Sequence, residues 1–190
     1  MATSGFSYGK SAAQWNVLLY LLWLGVGATP LRASRRTLPA SLKKIVDKMT
    51  RSLQPKFIKL LELKDPNLVN MFYDLRNYII EIYPDCNELL YHTHALTTVF
   101  SISEKLSDAF CMIPIYTNHL NLGFNKGTLL DDEHKLLIGT GNLIRHIPIK
   151  TETDYRNSKV EKLINSAVEF ALNDMGKSTK STGKVISKIK

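Results

Sequence analysis

Cysteine is scarce in this chain. Cys86 and Cys111 are the only two in 190 residues, with no CxxC pair and no histidine at ligand spacing beside them. Two cysteines exclude a disulfide-stapled scaffold and cannot supply a four-ligand zinc site unaided. Cys111 lies in the apolar run Ala109–Ile115 and reads as a small buried hydrophobe of a reduced, cytosolic protein. A Gly-x-Ser-x-Gly run is also missing, and neither thiol has an electropositive, cleft-like setting. Nucleophilic catalysis needs a Ser or Cys with a base held near it, so the sequence offers no catalytic residue. The acidic run Asp131-Asp132-Glu133-His134 lacks the ligand spacing of an EF-hand loop and reads as a solvated loop.

A long folded surface of one charge is absent too. The net charge of +8 suggests nucleic acid until it is divided along the chain. Residues 1–51 hold eight Lys/Arg against Asp47 alone, and 175–190 hold five Lys and no acid. Residues 52–174 hold twelve basic and sixteen acidic residues, so the folded part is mildly acidic and the basicity lies in the extensions. A nucleic-acid-binding fold puts its positive stripe on the folded surface. No specific nucleic-acid partner is expected.

What is present is the composition of an ordinary globular domain, 44% hydrophobic and 22% charged. From Ser11 to Leu31 there is no charge, and Val17–Leu24 reads VLLYLLWL. Four explanations stay open for residues 1–51: a signal peptide, a membrane anchor, a short packed helix, or a start read too early with translation from near Met49. The expected location is cytoplasmic, with anchoring or export as the alternative if residues 11–31 act as an anchor or signal. Membrane contact is assigned to residues 11–31 alone.

Within 52–174 the pattern predicts an α+β domain. Leu42–Lys48 is a short amphipathic piece before it, and Phe57–Leu61 allows a helical turn or two. Asp65-Pro66 caps a helix on which Leu68, Met71, Phe72, Leu75, Ile79 and Ile82 share one face, and Pro84 ends it. Strands are expected at 88–92, 95–100, 109–116, 119–124 and 144–149, the last at a sheet edge because of Pro148. A helix over 154–173 buries Val160, Leu163, Ile164, Ala167, Val168 and Ala171. Residues 175–190, rich in Gly, Ser, Thr and Lys, read as a basic disordered tail.

Three passages carry a resemblance: Ser103–Ala109 (SEKLSDA), Asn118–Gly127 (NHLNLGFNKG) and Gly139–Ile147 (GTGNLIRHI). In order and spacing they resemble the YdhG-like family, over about Leu68 to Leu172, with G-x-G-x-x-x-R-H as the sharpest motif. The resemblance implies a twisted antiparallel sheet packed against an N-terminal and a C-terminal helix, grouped in some relatives with frataxin-like iron chaperones. Two stretches depart from the family pattern. Tyr91-His92-Thr93-His94 stands where many relatives have Gly and Pro, and Asn142 where many have Lys.

The candidate ligand-binding residues are Gly139, Gly141, Arg145 and His146. The glycines supply a tight turn of positive φ, and Arg145 is an anion partner or pairs with Asp131 or Asp132. Neighbours on a strand face opposite ways. Arg145 is therefore expected at the surface beside a carboxylate, and His146 is expected to be the more buried. His92 and His94, two apart on one strand, would share a face and could hold a metal with a third ligand such as His119. The function expected is a non-catalytic binding or interaction module for a small ligand or a protein, without a cofactor. One alternative is an iron chaperone using Asp74, Glu81, Asp85 and Glu88. The other is a small-molecule enzyme with its site at the Gly139–His146 turn.

Overall fold

The computed structural model describes residues 51–174 and 181–189. The expectations for residues 1–50, including segment 11–31 and the piece 42–48, lie outside the described residues. Two helices come first. Helix α1, Pro55–Leu61, buries Phe57 and Leu61. Helix α2, Pro66–Ile82, starts where the Asp65 carboxylate accepts the backbone N–H groups of Asn67 and Leu68, at 2.8 and 3.4 Å. Its 3–4 spacing buries Leu68, Phe72, Leu75 and Ile79, as the sequence predicts. Arg76 is buried on the same helix, which the apolar pattern does not predict.

Strands β1 (Asn87–His92), β2 (Leu96–Ser101), β3 (Ala109–Ile115), β4 (Leu120–Phe124) and β5 (Arg145–Ile149) form an antiparallel meander. Helix α3, Ser158–Asp174, follows, and a short strand β6, Val185–Ser187, closes the chain. The sheet order is β5-β4-β3-β2-β1-β6, with β6 parallel to β1. The architecture is α+β, a six-stranded, mostly antiparallel sheet with three helices. Expected and observed bounds of the five antiparallel strands differ by a residue or so at each end.

Register explains the two faces of the sheet. Glu88, Phe100, Cys111, Phe124 and Arg145 lie in one row across five strands. The rows beyond it carry Leu90, Ile113, Leu122, Ile147, then Leu96, Ile115, Leu120, Ile149. All these apolar residues join the core that the helices cover. The opposite face carries Ile186, Leu89, Val99, Met112, Gly123 and His146 in another row. A small separate apolar cluster forms there around Leu89, Val99 and Ala109.

The last helix begins later than its periodicity suggests. Residues Glu152–Asp154 form a 3₁₀ turn closed by a reciprocal Thr151–Asp154 capping box. Tyr155 then enters the core, fully buried, and the Asn157 side chain accepts the Val160 N–H as the helix begins. The buried stripe of α3 is the one expected. The tail is a correction. Val185–Ser187 is not a disordered extension but a strand of the sheet, so the domain runs past residue 174. Its Gly/Ser/Thr/Lys composition argued for solvation. However, two β-branched residues beside an edge strand with unpaired backbone groups are enough to form a ladder.

Candidate functional site

The chain between β4 and β5 returns to the sheet through short local bonds. Gly127–Leu129 forms a 3₁₀ turn, and Thr128 N–H donates to Leu143 O at 3.1 Å. Ile138 and His146 exchange two backbone hydrogen bonds of 2.9 Å each. This bridge and Pro148, which has no N–H, occupy the outer edge of β5. Gly139 adopts φ +127°, a conformation that L side chains rarely take. Gly141 does not share it, so only one of the two glycines meets the expected need for positive φ.

Arg145 holds this turn from inside. Its Nη1 donates to Gly141 O and, at 2.8 Å, to Ile144 O. The stem lies so close to Gly127 that a Cβ there would stand 2.6 Å from Arg145 Cβ. No carboxylate among the described residues pairs with it. Asp132, a proposed partner, instead accepts the N–H groups of Leu136 and Leu137 at 3.0 and 2.7 Å. The two neighbours do face opposite ways, as strand geometry requires. Arg145 is on the core side, at its rim, and His146 on the outer face, and both are half-buried. Neither of the two is fully buried. The row that includes Phe100, Cys111 and Phe124 ends on Arg145.

Leu129, Ile138, Leu143 and Ile144, each about half exposed, lie on the segments bonded next to Arg145: Thr128 N–H meets Leu143 O, Ile138 pairs with His146, and Arg145 donates to Ile144 O. Sequence reasoning missed them as a group. Large apolar residues beside a strand are read as core, yet these four stay outside it. The signal was present in Leu143-Ile144, two consecutive apolar residues that cannot both face inward at the start of a strand.

The other candidates do not assemble. His92 ends β1, while His94 lies in the turn before β2, so they do not share a strand face. His119 stacks on Tyr116 in the β3–β4 turn, ring centroids 4.6 Å apart. No group of three potential metal ligands occurs among the described residues. Two carboxylates of the iron-chaperone reading, Glu88 and Asp74, are committed elsewhere. Glu88 is fully buried and receives Arg76 Nε and Nη2 at 2.6 and 2.9 Å. Arg51, almost as buried, lies 3.7 Å from the same carboxylate and donates to Cys86 O at 2.6 Å. Asp74 binds Arg156 and the Tyr155 hydroxyl. Burial alone would raise Asp74, but the Arg156 and Tyr155 hydrogen bonds outweigh it and hold the carboxyl below its ordinary value.

Both thiols are buried. Burial pushes Cys86 up to about 12 and Cys111 well above its ordinary value, so neither is a thiolate nucleophile at neutral pH. A cleft of about 430 Å³ is lined by Leu136, Ile147, Asp154, Asn157, Ser158 and Lys159 and does not include Arg145. Its acid is spent on local structure: Asp154 accepts the backbone N–H groups of Lys150 and Thr151, both at 2.8 Å. Among the described residues no helix is long and apolar enough to cross a membrane. Compared with known proteins, the chain matches no family model, no curated protein and no solved structure.

Proposed function

We propose that this domain is a non-catalytic interaction module of the YdhG-like kind. Its partner is an extended protein segment with bulky apolar side chains and a carboxylate, taken at the rim of Leu129, Ile138, Leu143, Ile144 and Arg145. One observation carries this reading: four half-exposed large apolar residues lie on the backbone segments bonded next to Arg145, whose guanidinium has no carboxylate partner among the described residues. Apolar side chains gathered at one rim, unlike scattered ones, mark interaction surfaces. Arginine among them supplies direction, since a carboxylate accepting its remaining N–H groups forms a charge-assisted bond. The resemblance in the Gly139–Ile147 run fits the same place, because Gly139 and Arg145 shape the rim.

Magnitudes set the expected strength. Burying the exposed half of four Leu/Ile side chains is worth about 3–6 kcal/mol, and a hydrogen bond to a charged group about 1.5–3. Association costs at least about 4 kcal/mol. The contact is therefore weak and reversible, suited to recognition and not to permanent assembly. Panning a displayed peptide library against the full chain tests it. Enrichment of peptides with an acidic residue beside two bulky apolar ones, lost on Ile144→Lys, supports the reading. Enrichment that Ile144→Lys leaves unchanged places binding elsewhere.

A further inference from the structure

The edge of β1 is fitted to one particular peptide segment of this chain. Segment 181–189 lies along this edge as a parallel strand. Glu88 N–H donates to Lys184 O and Lys188 N–H to Leu90 O, both at 2.8 Å. Backbone ladders of this kind accept almost any extended segment, but two further features are selective. The Asn87 side chain, on a residue only 2% exposed, accepts both Thr182 N–H (3.2 Å) and Lys184 N–H (3.0 Å). Gly183, between them, adopts φ +73°, and a Cβ there would stand 2.7 Å from Arg51 Nη2. A side chain at this position meets both a strained backbone and a guanidinium held by the Pro84 and Cys86 carbonyls. The edge thus demands a glycine followed, two and three residues on, by strand-forming side chains. Val185 packs on the main core and Ile186 on the outer cluster.

The acceptor is built by residues far from the segment in sequence. Asn87 lies 95 residues before Thr182, Arg51 lies earlier still, and Glu88 and Arg76 hold Arg51 in place from within. The occupant is short: three strand residues, all half-buried, on a sheet edge. Short edge strands with few buried contacts open at low cost. We propose that the β1 edge is a strand-accepting site, and that a second copy of this chain supplies residues 181–189 to it in a reciprocal exchange. A second copy is the partner whose fit the structure displays, because it brings the same Ser-Thr-Gly-Lys-Val-Ile-Ser segment to the same Asn87 and Arg51. Exchange keeps every contact and costs only association, which is the logic of domain swapping. The six residues joining Asp174 to Ser181 tie the segment to its own body. A tether that short gives an effective concentration on the order of millimolar, so exchange is favoured only as the protein approaches that range.

Sedimentation velocity of the full chain, from roughly 10 µM to roughly 1 mM, tests the proposal across that range. A dimer fraction that climbs with concentration is expected. Because exchange keeps every contact, a change in the seat weakens closed chain and dimer alike, so the deciding variant locks the seat instead. Leu89→Cys with Ile186→Cys places thiols on register partners of β1 and β6. Oxidised at the lowest concentration, it should hold the strand on its own body and cut dimerisation at least tenfold, and reduction should restore the dimer. Circular dichroism confirms that the double variant stays folded, with the wild-type concentration series standing in either case. A chain that stays monomeric throughout overturns the proposal. So does a dimer that the oxidised double variant still forms but Ile144→Lys dissolves, because such a dimer uses the rim around Arg145.

Discussion

Arg76 meets Glu88 in a two-bond fork under the sheet, Nε to Oε2 at 2.6 Å and Nη2 to Oε1 at 2.9 Å, with the carboxylate fully buried. Arg76 Nη2 also donates to Arg51 O at 2.9 Å, which ties α2 and β1 to the residue that opens the described chain. Truncating one partner leaves the others charged and unpaired in the interior. Glu88→Ala should therefore cost about 3–5 kcal/mol, the range for breaking a buried pair. Urea unfolding measures it, and a loss under about 1 kcal/mol would show that water reaches the site.

Thr98 presents the opposite case. Its hydroxyl is buried between the Leu90 and Ile113 strands and has no hydrogen-bond partner. A buried hydroxyl without a partner costs about 1–3 kcal/mol in mutational terms. Thr98→Val keeps the shape and removes the polar atom, so the melting temperature should rise. A fall would mean that the hydroxyl has a partner, such as bound water.

Asp74 makes stability depend on pH. Its carboxyl titrates lower in the folded chain than in the unfolded one, through Arg156 and Tyr155. The stabilisation is present in full above the unfolded value of about 3.9 and is lost as pH falls through the lower folded value. Asp74→Asn should accordingly lower the melting temperature most at neutral pH, with the gap to wild type closing below about pH 4. A gap that is constant from neutral to acid pH would refute this coupling.

Much of the fold was legible because periodicity reports burial. The α2 and α3 stripes and the alternation of Leu120, Leu122 and Phe124 each point to one packed face, and each is packed as expected. Three things were not legible. Glu88, Arg51 and Arg76 look like surface charges, since only tertiary contact makes them each other's partners. Val185-Ile186 is too short for a periodic signal and becomes a strand because β1 offers an edge. At the site, Gly139 was readable from the turn it makes. The side that Arg145 faces was not, because Leu143, Ile144 and Ile147 are apolar on both faces of the strand entrance. Register with Phe124 decides it.

The rim around Arg145 is the account's central claim, and the affinity of one peptide tests it most directly. A fluorescent peptide carrying one acidic and two bulky apolar residues, chosen from the panned library, is titrated against the full chain by anisotropy. Wild-type protein should bind it reversibly, Ile144→Lys and Leu143→Lys should each weaken it at least tenfold, and Arg145→Ala should weaken it without reducing affinity for the same peptide with its acid amidated. Equal affinity of wild type and all three variants, each confirmed folded by circular dichroism, would contradict the assignment of this rim as the binding site.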